Sequence, residues 1–147
     1  MVPLIALVVS FLLFFLAGKA GVAAFADTGF ALRCALAVMF VLTASAHWGK
    51  KRPDLVRMVP PSFPNPGLLV TISGVLELLG AIGLLLPVTA RASCVCLALM
   101  LVALFPANIH AAREHLTIGG RPVPGLPVRS LIQIVFVTAL ITAAWLK

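Results

Sequence analysis

The sequence predicts an all-α fold, a polytopic bundle of short transmembrane helices, and three observations carry that prediction. Of 147 residues, 62% are hydrophobic and only 10% charged, whereas a soluble domain is typically about one quarter charged because its surface faces water. Mean hydropathy is +1.17, and the apolar residues gather in runs that approach the roughly 20 needed to cross a bilayer as a helix. These runs are continuous rather than alternating apolar and polar. That excludes a closed barrel, the other architecture that satisfies its backbone in lipid. The length suits a single domain over 1–147.

Five segments follow in order. The first runs from Val2 to Ala17 and continues past Gly18 and Lys19 towards Phe25. Ala24-Phe25-Ala26 resembles a small-x-small cleavage site, but Met1 to Phe15 holds no Lys or Arg and Lys19 interrupts the stretch. A signal peptide needs a positive leading region, so a retained helix is expected. The second segment covers Phe30 to Ala46, the third Gly67 to Pro87, the fourth Ala90 to His110 and the last Val128 to Leu146. Between the second and third, Lys50, Lys51, Arg52 and Arg57 precede Pro60, Pro61, Pro64 and Pro66. Those prolines exclude a continuous helix and favour extended or turn geometry. Met58, Val59 and Phe63 are apolar, so an interfacial loop folded back on the bundle mouth is expected. Gly119, Gly120, Pro122, Pro124, Gly125 and Pro127 read as an ordinary flexible connection.

The net charge of +7 does not point to nucleic acid, because the basic residues lie mostly between apolar runs, where topology-setting charges belong. Five crossings place Lys50, Lys51, Arg52, Arg57, Arg113, Arg121 and Arg129 on one face. The other face holds Lys19, Arg91 and Lys147, with Arg33 just inside. The bias favours a cytoplasmic proline-rich loop. Cys34, Cys94 and Cys96 all lie within apolar runs and read as small packing residues. Cys94 and Cys96 are two apart, so a helix points them to different sides, and no redox pair or metal set is expected.

Glu77 sits near the middle of the third segment. An intramembrane carboxylate is costly and faces a partner, a cavity or a substrate path. Its neighbours three and four residues away, Ser73, Gly74, Gly80 and Ala81, are all small, so this face permits close helix packing and Glu77 points into the bundle. It is either a carboxyl hydrogen-bonded across helices or a group that contacts a ligand or handles a proton. His47 and Trp48 end the second segment beside the proline-rich loop. Asn108 and His110 return to that side on the fourth segment, and Arg129 and Gln133 open the fifth. Pro106 loosens the fourth helix by removing a backbone donor, leaving a carbonyl free near Asn108. The expected object is a polar vestibule that narrows towards Glu77, although Trp, His, Arg and Asn also anchor helices at headgroups. His110 and His115 are five apart and share no helical face, so no metal site is expected.

These residues resemble the DoxX-like family of small bacterial membrane proteins. The likeness runs through His47, the Arg57-Met58-Val59-Pro60-Pro61 and Phe63-Pro64 loop, and Ser73 to Pro87 with its SGxxExxGAxGLLxP pattern. It continues through Arg91, Phe105-Pro106-Ala107-Asn108-Ile109-His110 and Arg129 with Gln133. The resemblance implies a four-helix core over 29–147, to which 1–28 adds an N-terminal helix. The family takes its name from a subunit of a thiosulfate:quinone oxidoreductase, but this sequence has no cysteine pair at redox spacing.

Three functions follow. The first is a non-catalytic accessory or assembly component of the bacterial inner membrane, without cofactor. Its partners would be the lipid bilayer, other membrane proteins or further copies of itself. The second is a quinone- or lipid-interacting subunit of a membrane oxidoreductase, with Glu77 exchanging a proton and His47, Asn108 or Gln133 positioning a headgroup. The third is a small-molecule or ion carrier using Glu77, weakened by the lack of an inverted repeat.

Overall fold

A computed structural model describes residues 1–146; Lys147, counted above with the basic residues of the second face, lies outside the described residues. Helix α1 spans Val2–Lys19 and is followed by a 3-10 turn, Ala23–Phe25, before α2, Thr28–Ser45. A short helix α3, Arg52–Met58, precedes α4, Pro66–Leu85. The fourth expected segment divides into α5, Ala90–Ala103, and α6, Phe105–Arg113. A two-stranded hairpin, β1 Thr117–Ile118 and β2 Arg121–Pro122, leads into α7, Leu126–Trp145. Five stretches are long and apolar enough to cross a membrane: α1, α2, α4, α5 with α6, and α7.

Local chemistry sets the helix starts. Asp27 caps α2, its Oδ1 accepting the Gly29 N–H at 2.8 Å. Helices α1, α3, α4, α6 and α7 each carry a proline in their first two positions, where the missing N–H has no helical partner to lose. Four spans close on one another in the cyclic order α2, α4, α5, α7, while α1 lies against α2. The core of the ring is Leu36, Met39 and Phe40 with Ala81, Leu84, Cys94, Leu97 and Leu140. Leu7 joins it from α1, and the stacked rings of Phe14, Phe25 and Phe30 tie α1 and its turn to α2. The outward faces are apolar; Leu99, for example, is 64% exposed. A continuous surface of this kind is an aggregation liability in water and the required surface in lipid.

Two loops differ from expectation. The prolines from Pro60 to Pro66 do exclude helix, but the residues just before them form α3, because Pro53 occupies its first turn and Asp54 favours the N-terminal end of the helix dipole. Helix α3 lies against α4, α6 and β1, as an interfacial segment folded back on the bundle does. The Gly-Pro stretch is not a flexible connection. It forms a hairpin pairing Thr117 with Pro122 and Ile118 with Arg121, and its two turn residues, Gly119 and Gly120, take φ of 59° and 75°. Such tight hairpin turns need positive φ, which glycine supplies. The Asp54 carboxylate pins the turn by accepting the Gly119 N–H at 2.8 Å and also pairs with Arg57.

That contact is pH-sensitive. The Gly119 N–H first, and the Arg57 guanidinium second, hold the Asp54 carboxyl below its ordinary range. A depressed folded value contributes stability above the unfolded value, about 3.9, which is lost as pH falls through the folded one. Hydrogen exchange at the Gly119 amide should therefore show steady protection above about pH 4 and falling protection below it. Asp54→Asn, which keeps an acceptor oxygen, should abolish the pH dependence; an unchanged profile would refute the assignment.

Candidate functional site

Thr43 and His47 are four residues apart near the end of α2, a spacing that aligns them along one side, and Ser73 and Glu77 repeat it on α4. The two pairs meet. Glu77 and His47 are only 6% and 8% exposed. The Thr43 hydroxyl donates to Glu77 Oε2 at 2.7 Å, and His47 Nε2 lies 3.5 Å from Glu77 Oε1. His47 Nδ1 is 2.6 Å from the Val70 carbonyl oxygen, to which Ser73 Oγ also donates at 3.0 Å. A carbonyl only accepts, so Nδ1 carries a hydrogen. Attraction between Nε2 and Oε1 then requires a single proton between them, and the pair bears no net charge whichever atom holds it. A neutral pair is the form a low-dielectric interior tolerates.

Arg52 extends this network. It donates to the His47 carbonyl at 2.7 Å, the Gly67 carbonyl at 3.0 Å and Thr71 Oγ1 at 2.9 Å. These bonds join the start of α3 to the end of the α2 chain and the first turns of α4. Close approach is possible because residue 74 is glycine: a Cβ there would come within 2.7 Å of His47 Cβ and 2.9 Å of the Trp48 ring.

The remaining candidate residues form other contacts. Arg129 on α7 donates to Asn108 Oδ1 on α6. Gln133 Nε2 donates at 2.6 Å to the Leu101 carbonyl, in the last turn of α5, whose carbonyls lack intrahelical donors. The sequence expected Pro106 to free a carbonyl near Asn108. The helix in fact breaks at Leu104, and the carbonyl that is taken up, Leu101, lies a turn and more earlier on α5. His110 is half-buried in the last turn of α6. The single vestibule expected from the sequence thus resolves into two groups: His47 with Glu77 where the end of the α2 chain meets α4, and the separate Arg129–Asn108 and Gln133–Leu101 contacts across α5, α6 and α7. Two surface cavities, one bounded by Arg33, Arg91 and Trp145 and the other by Leu79, Cys96 and Leu97, are lined by none of these residues.

Sequence reasoning missed Thr43 and Arg52 as partners. Thr43 was detectable from its four-residue spacing to His47, which aligns the two on α2. Arg52 was not, because nothing in a run of basic residues distinguishes the one that folds back.

The second group has a direct test. Arg129→Gln, Asn108→Ala and the double variant should give a coupling energy of about 0.6 kcal/mol, and no more than about 1.7, in unfolding from mixed detergent micelles, the mean and maximum for hydrogen bonds between membrane helices. Strict additivity would show that the contact contributes nothing.

The model of a family described as a domain of unknown function (DUF8561) matches residues 36–147, and the chain belongs to that family. No curated protein and no solved structure matches the chain. The matched region begins inside α2 and leaves α1 outside it.

Proposed function

We propose that the protein is a non-catalytic accessory or assembly component of the bacterial inner membrane, with the proline-rich loop and α3 on the cytoplasmic side. In this reading the ring of α2, α4, α5 and α7 is a DoxX-like core to which α1 is an addition. The reading is supported by the order of the His47, Glu77, Asn108, Arg129 and Gln133 motifs and by the excess of basic residues around α3 and the hairpin.

The observation that carries it is the internal engagement of Glu77. One carboxylate oxygen takes the Thr43 hydroxyl and the other faces His47, so both oxygens of the buried carboxylate make contacts that join α2 to α4. A proton-exchanging site needs its ligand within hydrogen-bond reach, and neither of the two surface cavities is lined by Glu77. The apolar outer faces of α5 and α7, with Leu99, Leu131 and Ile134 exposed, leave area for contact with other membrane helices.

Purification from native membranes in mild detergent should recover a membrane-protein partner at fixed stoichiometry, and Glu77→Gln should retain it. Recovery of a quinone or substrate at one per chain, lost in a Glu77→Gln variant of unchanged stability, would overturn the reading in favour of a redox subunit or carrier.

A further inference from the structure

The end of the bundle opposite α3 holds a cavity of about 370 Å³ bounded by Arg33, Pro87, Ala90, Arg91, Trp145 and Leu146, at the small end of the range for small-molecule pockets. It collects residues from α2, α5 and α7 and the loop after α4. Arg33 stands in the second turn of α2, about 8 Å in from Thr28, a depth at which a guanidinium requires a partner. Its partnering is incomplete. Asp27 Oδ2 approaches no closer than 3.7 Å, and Asp27 Oδ1 is occupied by the Gly29 amide. The Arg33 Nε is buried and has no acceptor among the described residues. Also bounding the cavity, Arg91 lies 4.6 Å over the ring of Trp145, which orients its guanidinium while leaving its N–H edge free to donate. Trp145 is the last residue of α7, and tryptophan at a span end marks the headgroup level.

We infer that this cavity binds the phosphate of an anionic membrane phospholipid, with Arg33 and Arg91 donating to its oxygens. Guanidinium forks match phosphate geometry and form charge-assisted bonds. Asp27 beside Arg33 is outnumbered by the two guanidiniums that bound the cavity, so the site favours a net-negative headgroup over a zwitterionic one. The exposed apolar residues beside the opening, Val88 and Leu86, lie where acyl chains would leave the site.

Native mass spectrometry of the full chain from detergent tests this with added phosphatidylglycerol, phosphatidylcholine of the same acyl chains, and inorganic phosphate. The expected result is retention of phosphatidylglycerol over phosphatidylcholine, reduced about tenfold or more in Arg33→Gln/Arg91→Gln, the loss expected for charged hydrogen bonds. Arg113→Gln/Arg121→Gln removes the same charge at the other end and should leave retention unchanged. Arg91→Gln alone alters an exposed side chain, keeps the fold, and should still weaken binding several-fold, while Arg33→Lys should retain part of it. Equal retention of the two lipids, equal retention by the double variant, or the same effect from the Arg113 and Arg121 substitutions would overturn the assignment. Thermal stabilisation by inorganic phosphate matching that by phosphatidylglycerol would also overturn it, assigning the cavity to a free anion.

Discussion

Glu77→Ala is expected to destabilise the detergent-solubilised protein by about 1–3 kcal/mol, the cost of leaving a buried neutral polar group without its partner. The substitution leaves His47 Nε2 facing a cavity where the carboxylate stood, while the Thr43 hydroxyl keeps the Phe40 carbonyl at 3.0 Å as an acceptor. Thr43→Ala removes one hydrogen bond and keeps the His47 contact, so it should cost about 0.6 to 1.7 kcal/mol. Glu77→Gln should cost less than half of the alanine loss, because its amide can donate to His47 Nε2 while its carbonyl accepts from Thr43. Unfolding in mixed micelles, followed by circular dichroism, measures all three. A Glu77→Ala loss below about 1 kcal/mol would mean that the pair does not clamp α2 to α4. A Glu77→Gln loss equal to that of Glu77→Ala would mean that the proton between the two groups, rather than the pattern of donors and acceptors, holds them.

The second large effect lies at Gly74. Valine there places its first side-chain carbon within 2.7 Å of His47 Cβ and 2.9 Å of the Trp48 ring tip, and His47 cannot yield. It is held by the Val70 carbonyl and Glu77, and its backbone carbonyl by Arg52. Gly74→Val must then push α2 away from α4, breaking the network together with the packing, at about 3 kcal/mol or more. Gly67 provides the comparison, since a Cβ there meets nothing nearer than 3.9 Å, at the tip of Arg52. Gly67→Ala should therefore be neutral within about 0.5 kcal/mol. Equal stability of Gly74→Val and Gly67→Ala would remove the close approach of α2 and α4 as a determinant of the fold.

Much of the architecture was readable from the chain. The ends of α4 and α7 lie within two residues of the expected segments because proline at each start leaves little choice of boundary. The small residues flanking Glu77 announced an inward-facing carboxylate, and it is buried. The two loops were harder. Helix α3 is a short helix whose stability comes from contact with α4 and α6 rather than from its own periodicity. The hairpin is held by a side chain sixty-five positions away, Asp54 on Gly119, and no local pattern reports such a bond.

The candidate site divides along the same line. Helix direction alone brought His47, Asn108, His110, Arg129 and Gln133 to one end of the bundle, and that inference treats all of them as neighbours. Which side of each helix a residue occupies depends on how the four-span ring closes, and closure put His47 on Glu77 but Arg129 on Asn108.

By itself, then, the sequence determined that this chain is a bundle of helices long and apolar enough to cross a membrane, with one carboxylate directed inward, because hydropathy, segment length and the small residues around Glu77 are local properties. Only the tertiary structure decided that the carboxylate is shared between Thr43 and His47, that Arg52 turns back onto the His47 carbonyl, and that Arg33 and Arg91 bound one cavity. Each of these is a pairing between helices, set by side-chain directions that exist only once the ring has closed.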